Sequence, residues 1–124
     1  MILIARALVA HPEMLILDEP ESNLDFRNQL LIMNTLSEFA SKGIACVFNT
    51  HYPAHAIRWA HKALLLDKRG AYLFGDTANV VTEYNIERAF GVHTVIGKFP
   101  TSDGILYDIV PVTLSNKNSG LKAD

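Results

Sequence analysis

Two adjacent carboxylates close an apolar run near the start of the chain. In the segment LILDEP, the apolar residues 15–17 precede Asp18 and Glu19, and Pro20 ends the run. An Asp can hold Mg²⁺, often through water, because this hard cation prefers oxygen ligands and keeps its hydration. An adjacent glutamate, facing differently along the chain, could orient or deprotonate an attacking water. Such acids are about as often solvated turn residues as functional ones, so the pair alone decides nothing.

A histidine stands at the end of a second apolar run. Residues 44–49, IACVFN, predict a buried strand, and Thr50 and His51 follow it. In open α/β sheets, ligands collect at the carboxyl ends of parallel strands. If the two strands are neighbours, His51 and the two acids face one crevice, where an imidazole can donate a hydrogen bond to a phosphoryl oxygen. Phosphoryl transfer depends mainly on such positioning and charge neutralisation. Taken alone, His51 is more often a capping or structurally satisfied histidine.

The apolar periodicity predicts the elements that would position these residues. Helices are predicted over residues 2–10 and 26–42, around a strand over 14–18. A helix beginning at Pro53 follows the second strand, and ALLLD and AYLFG predict an antiparallel pair. A last helix runs from about Glu83 to Phe90, and ILYDIVPV predicts one or two further strands. Strands that alternate with helices indicate an α/β fold with a mostly parallel sheet flanked by helices.

Composition excludes several classes of partner. The chain has 124 residues, is 49% hydrophobic and 19% charged, and carries a formal net charge of −2. No basic stripe favours nucleic acid or an anionic membrane surface, and no apolar run is long enough for direct membrane insertion. The single cysteine, Cys46, fits a reducing compartment. We expect one domain over residues 1–112 and a disordered tail over 113–124.

Three motifs in a fixed order resemble one family. LILDEP, SNLD and NTH are similar to the Walker B segment, the D-loop and the switch-histidine loop of ABC-type ATPases, the ATP-driven subunits of ABC transporters. IARALVAHPEMLILDEP extends the resemblance upstream, and HKALLLDKRGAYLFGD extends it downstream. LDFRNQ and VTEYNIERAFGV look most like ATPases of importers for iron-siderophore, haem, cobalamin or molybdate. The resemblance implies that residues 1–112 are the C-terminal part of an ABC ATPase domain, a partial P-loop NTPase fold.

The resemblance assigns roles to six residues. Asp18 matches the Walker B aspartate that binds Mg²⁺ through water, Glu19 matches the general base, and His51 matches the histidine that contacts the γ-phosphate of ATP. Within the D-loop, Asp25 matches the aspartate that helps couple the two ATP sites of a dimer. Ser22 and Asn23 fall on the preceding D-loop positions. We assign them, together with Asp18 and Asp25, to the cofactor-binding residues.

The sequence departs from the family in two ways. Glu21 stands where the family commonly has threonine. In addition, the 124 residues contain neither a phosphate-binding G-x-x-x-x-G-K-[ST] motif nor an LSGGQ signature. GVHTVIGKF imitates the former, but five residues separate Gly91 from Gly97, and Phe99 occupies the Ser/Thr position. We therefore expect the chain to represent the C-terminal half of an ATPase domain, inactive by itself, that uses ATP and Mg²⁺ only with the missing half.

The resemblance implies an ATP-binding and hydrolysing subunit of an importer for a metal chelate or oxyanion. It would be cytoplasmic, held at the inner face of the membrane by permease subunits, and would work as an ATPase dimer. Two alternatives stay open: a non-catalytic interaction or regulatory remnant of an ABC ATPase, and a soluble ABC protein without a transport role. A metal site at His51 and His55 is disfavoured, because Pro53 separates them and no third ligand is near in sequence.

Overall fold

The computed structural model describes residues 2–116 and 120–121 and divides into two compact units. Unit 1 is Met1–His51, and unit 2 is Tyr52–Asp124. The elements of unit 1 are α1 (Ile2–Leu8), β1 (Met14–Asp18), α2 (Phe26–Ser41) and β2 (Ala45–Asn49). The elements of unit 2 are α3 (Pro53–Trp59), β3 (Lys62–Leu66), β4 (Tyr72–Asp76), α4 (Thr77–Val80), α5 (Glu83–Phe90), β5 (Val92–Thr101) and β6 (Gly104–Leu114).

Unit 1 is built on one parallel strand pair. β1 pairs with β2 in a register that runs from Met14 opposite Ala45 to Asp18 opposite Asn49. Parallel strands need a crossover that returns the chain to the starting edge of the sheet, and α2 supplies it. The residues that follow β1 and those that follow β2 therefore leave the sheet at the same edge.

Capping residues fix both ends of α2. Asp25 is the N-cap, and its Oδ1 accepts a hydrogen bond from the backbone N–H of Asn28 at 2.8 Å. The helix ends shortly before Gly43, whose φ of 92° carries little steric cost for glycine. The residues that α2 buries are Ile32, Met33 and Leu36. Burial of this face against the rest of unit 1 holds the crossover helix in place.

Unit 2 contains two antiparallel strand pairs and an apolar core. β3 pairs with β4, and β5 pairs with β6. Thr82 caps α5 by accepting a hydrogen bond from the backbone N–H of Asn85 at 3.1 Å, and Gly91 ends the helix in the left-handed conformation. The core cluster comprises Leu65, Val80, Val81, Ile86, Ala89 and Leu121.

The α/β class predicted from the sequence is confirmed. The parallel pairing is that of β1 with β2, whereas the other two strand pairs of the described residues are antiparallel. The helix predicted over residues 2–10 ends earlier, at Leu8, and β5 and the short helix α4 were not predicted. Leu64 and Leu66 of β3 are 56% and 57% exposed, because a half-buried strand turns alternate residues outward.

The last part of the chain differs from the disordered tail expected over 113–124. Thr113 and Leu114 belong to β6, and Leu121 is 8% exposed within the core cluster. The backbone N–H of Leu121 donates to Asp67 Oδ2 at 3.0 Å. Residues 117–119 and 122–124, which the same expectation covered, lie outside the described residues.

The segment that imitates a phosphate-binding loop lies mostly in a strand. Gly97 and Lys98 are both in β5, opposite Asp108 and Tyr107 of β6. A phosphate cradle needs a loop whose successive backbone N–H groups converge on one anion, usually at the start of a helix. An extended strand that is bonded to its neighbour lacks that geometry, so the structure agrees with rejecting this segment as a phosphate site.

Candidate functional site

The candidate site lies at the carboxyl ends of β1 and β2, within unit 1. Asp18 and Asn49 are register partners at the last position of the two strands. The side-chain amide of Asn49 donates a hydrogen bond from Nδ2 to Asp18 Oδ1 at 2.8 Å. Asp18 itself is exposed, so its carboxylate is accessible from solvent at the edge of the sheet.

Glu19 has an unusual backbone conformation. Its φ is 44°, in the left-handed region that non-glycine residues seldom adopt. Its backbone N–H donates to Asn49 Oδ1 at 2.6 Å, and its Oε1 lies 2.5 Å from His51 Nε2. Backbone conformations of this kind cost free energy, persist only where surrounding contacts hold them, and cluster at functional sites. Here those contacts come from the end of β2 and the residues after it.

The two acids and the histidine predicted as a site therefore converge. His51 contacts Glu19 directly, and Asn49 joins both Glu19 and Asp18. The side chain of His51 is 81% exposed and that of Glu19 is 34% exposed, so both are open to a ligand from solvent. A carboxylate beside a water-accessible histidine can accept a proton and orient a water, as base-assisted attack requires.

The residues predicted to be the D-loop lie in the turn between β1 and α2. The backbone N–H of Ser22 donates to the carbonyl of Glu19 at 3.0 Å, and Asn23 has a φ of 60°. The carboxylate of Asp25 is occupied in capping α2. Unit 1 thus gives Asp25 a structural role, to which the predicted role in an ATPase dimer would be added.

Glu21, which stands where the family commonly has threonine, is buried in unit 1. Its side chain is 1% exposed, and its Oε1 accepts a hydrogen bond from Thr50 Oγ1. Burying a carboxylate costs free energy unless hydrogen bonds compensate for the lost hydration. The hydrogen bond from Thr50 also links the turn between β1 and α2 to the segment after β2. The variant position noticed in the sequence is therefore a packed residue of unit 1.

Asn49 is the residue that the sequence reasoning missed. In the sequence it both ends the apolar run IACVFN and begins the segment NTH, and neither pattern assigns a role to its side chain. The available signal was its polarity: an amide that ends an otherwise apolar run, two residues before a candidate histidine, has both a donor and an acceptor to offer. Only the register of β1 and β2 shows which groups it reaches.

Asp18 fits the kind of ligand that Mg²⁺ uses. Among residues 2–116 and 120–121, no group of three or more His, Cys, Asp or Glu side chains is arranged to hold a metal ion. Mg²⁺ sites often consist of one or two carboxylates completed by water and by substrate phosphates. An exposed single carboxylate beside a candidate base suits that mode and does not suit a closed all-protein metal cage.

Comparisons with known proteins agree with this reading of the motifs. A family model described as "AAA domain, putative AbiEii toxin, Type IV TA system" matches residues 2–54, which include the whole candidate site. The molybdate import ATP-binding protein MolC of Haemophilus influenzae is 40% identical over 91 residues, which are 73% of this chain and 36% of that protein. The vitamin B12 import ATP-binding protein BtuD of Citrobacter koseri is 36% identical over 83 residues, 67% of this chain and 33% of that protein.

A solved structure shows the same likeness in three dimensions. It is described as "An inward-facing conformation of a putative metal-chelate type ABC transporter", and it superposes with a TM-score of 0.83 at 33% identity. The match covers 90% of this chain and 44% of the matched chain. The chain belongs to the family of ABC transporter ATP-binding subunits, which confirms the resemblance inferred from its motifs. It spans about a third of the length of the curated relatives it matches.

The length and the apolar character of a helix decide whether it could span a membrane. In the described parts of the chain, no helix combines the length and the apolar character needed to cross a bilayer. The longest, α2, has 16 residues and includes several charged or amide side chains.

Proposed function

We propose that this chain supplies the hydrolytic half of an ATP site in an ABC importer for a metal chelate or an oxyanion. One observation carries the proposal: the predicted Walker B acids and the predicted switch histidine, 32 and 33 residues apart in sequence, meet at one edge of the parallel strand pair. The 2.5 Å contact between His51 and Glu19 supports it, as does the hydrogen bond that the side-chain amide of Asn49 donates to Asp18.

Each residue has a distinct role in the proposed reaction. Asp18 would hold Mg²⁺ through water, and Mg²⁺ when bound would neutralise charge on the ATP phosphates. Glu19 would orient the attacking water and accept its proton, and His51 would donate a hydrogen bond to a γ-phosphate oxygen. Ser22, Asn23 and Asp25 would face the second ATPase subunit, where Asp25 would couple the two sites of the dimer.

The phosphate cradle is the part that the 124 residues do not contain. Positioning accounts for most of the rate in phosphoryl transfer, so a base and a metal ligand have little effect on a nucleotide that nothing else holds. We propose that a domain with the cradle and the signature sequence completes the site. The complete assembly would lie at the cytoplasmic face of the membrane, bound to permease subunits.

The test is reconstitution. The 124-residue chain is mixed with a separately produced domain of an ABC relative that carries the cradle and signature, and phosphate release and Mg²⁺-ATP binding are measured. We expect phosphate release only from the mixture, and we expect Asp18→Asn to abolish that release, because Mg²⁺ loses its carboxylate ligand. Tight Mg²⁺-dependent ATP binding by the chain alone would contradict the proposal. A mixture that binds ATP and never hydrolyses it would favour the non-catalytic alternative.

A further inference from the structure

We infer that Asn49 is a positioning residue, which holds the candidate base Glu19 and the candidate metal ligand Asp18 in fixed relation to each other. The inference rests on the proposed function for its catalytic consequence and on geometry alone for its structural content. One side chain at the end of β2 joins the two neighbouring acids at the end of β1, through opposite sides of its amide.

The two contacts of Asn49 use different chemistry. Its Oδ1 accepts the backbone N–H of Glu19 at 2.6 Å, and its Nδ2 donates to Asp18 Oδ1 at 2.8 Å. The orientation of the amide follows from its partners, because a backbone N–H needs an acceptor and a carboxylate needs a donor. The second contact is assisted by the carboxylate charge, which makes it stronger than a bond between neutral groups.

The contact to Glu19 falls at the strained position of the turn. With φ at 44°, the backbone of Glu19 has no regular ladder partner after the strand ends, and Asn49 supplies an acceptor for its N–H. The direction of that N–H and the direction of the Glu19 side chain are coupled through the same Cα. Fixing the one therefore restricts where the carboxylate can point, including toward His51.

The segment that carries Asn49 is itself anchored. The next residue, Thr50, donates to the buried side chain of Glu21, and the one after it, His51, contacts Glu19. Three successive residues, 49–51, thus bond to the turn formed by residues 18–21. Asn49 is the member of this set that reaches both acids, which is why we assign it the positioning role.

Two variants separate the two contacts. Asn49→Ala removes both, whereas Asn49→Asp keeps an oxygen for the Glu19 N–H and loses the donor to Asp18. Asn28→Ala is the matched control, because Asn28 is an exposed asparagine of unit 1 whose bond to Asp25 comes from its backbone N–H. All are made in the full 124-residue chain and are studied both alone and in the reconstituted mixture.

The structural readout is NMR of the isotope-labelled chain. In wild-type chain and in Asn28→Ala, we expect a scalar coupling across the hydrogen bond from the Glu19 amide nitrogen to Asn49 Cγ. We also expect the Glu19 N–H to exchange about two- to tenfold more slowly than in Asn49→Ala. Asn49→Asp should retain that slower exchange. Equal exchange at Glu19 in wild type and Asn49→Ala would overturn the inference.

The catalytic readout is steady-state ATP hydrolysis by the mixture. Asn49→Ala and Asn49→Asp should each lower kcat about tenfold with KM for ATP within about twofold, as expected for a residue that orients reacting groups and does not bind ATP. If Asn49→Ala fails to fold, Asn49→Asp decides: fast exchange at Glu19 or an unchanged kcat overturns the inference. Absence of hydrolysis in the wild-type mixture would defeat the proposed function, and the exchange result would then decide the positioning inference separately.

Discussion

Each unit of the molecule contains a pair formed by a histidine and a glutamate, and the two pairs differ in setting. In unit 1, His51 Nε2 lies 2.5 Å from Glu19 Oε1, where Glu19 is in a left-handed conformation beside Asp18. In unit 2, His93 Nδ1 lies 3.0 Å from Glu87 Oε2, and Glu87 lies within the regular helix α5.

The partners of the two glutamates explain the difference. The other oxygen of Glu87, Oε1, accepts a hydrogen bond from Ser115 at 2.6 Å, so this carboxylate joins α5 to the start of β5 and to the residue after β6. Glu19 instead shares its neighbourhood with a second carboxylate and an amide that bonds to both acids. A histidine–glutamate contact therefore does not by itself define a catalytic site. Both pairs are in direct contact, but only the pair in unit 1 lies beside a candidate metal ligand.

The largest expected effect separates the two glutamates by activity. In the reconstituted mixture, Glu19→Gln should lower ATP hydrolysis roughly 100- to 10,000-fold, because an amide cannot accept the proton of an attacking water. Glu87→Gln should leave hydrolysis within about threefold, since the contacts of Glu87 with His93 and Ser115 lie within unit 2. Phosphate release is the measurement, with circular dichroism to check folding. Comparable losses in both variants would remove the distinction between the two pairs.

The next effect compares the stability contributed by apolar residues of the two units. Ile86 of unit 2 is 2% exposed, and Ile86→Ala should lower the free energy of unfolding by about 2–5 kcal/mol through lost burial and a cavity. Ile16 of β1 is 78% exposed, and Ile16→Thr, which keeps a β-branched side chain, should cost less than about 1 kcal/mol. Urea denaturation measures both. An equal cost at Ile16 would mean that the outer face of β1 is covered in solution.

A smaller effect compares the helix caps of the two units. Asp25→Ala and Thr82→Ala should each cost about 1 kcal/mol of stability, because each removes the side-chain acceptor at a helix N-terminus. Asp25→Ser restores a capping oxygen without the carboxylate. If Asp25 also couples ATP sites, Asp25→Ser should recover stability in urea denaturation and still lower hydrolysis by the mixture. Full recovery of both would leave Asp25 with its capping role alone.

The smallest expected effect is a loss of the stability of unit 2 at low pH. Burial raises the pKa of Asp67, but hydrogen bonds from the backbone N–H groups of Leu121, Arg69 and Ala71, together with the charge of Arg69, outweigh it and lower the pKa below its usual 3.8. A carboxyl whose folded-state pKa is lowered stabilises the fold above the unfolded value, and that stabilisation is lost as pH falls through the folded value. Asp67→Asn should therefore reduce the stability lost below about pH 4.

Unfolding of wild type and Asp67→Asn, followed by Trp59 fluorescence between about pH 2.5 and 6, measures this acid dependence. Lys68→Gln, a charge change at the adjacent exposed position, is the control and should keep the wild-type slope. Identical slopes for all three proteins would show that the contacts of Asp67 do not stabilise unit 2 in solution.

Local chemistry in the sequence was enough to locate most elements of the fold. The cap Thr82 and the stop at Gly91 act over one helical turn, so their effect on α5 is visible in a few consecutive residues. The strands of unit 1 were equally visible, as short apolar runs between turn residues. β5 escaped prediction because its apolar residues alternate irregularly with Gly97, Lys98 and Pro100, and pairing with β6 makes it a strand.

The sequence by itself determined the order and chemical type of the site residues: two acids after one strand and a histidine after the next. The tertiary structure decided which of them meet, because the parallel register that sets Asp18 opposite Asn49 depends on α2 bringing two distant segments together. It also decided the roles of Glu21 and Asn49, since burial and an amide's two partners are properties of neighbours in space. The sequence gives the type of each side chain, whereas the distances between side chains depend on the packing of the whole unit.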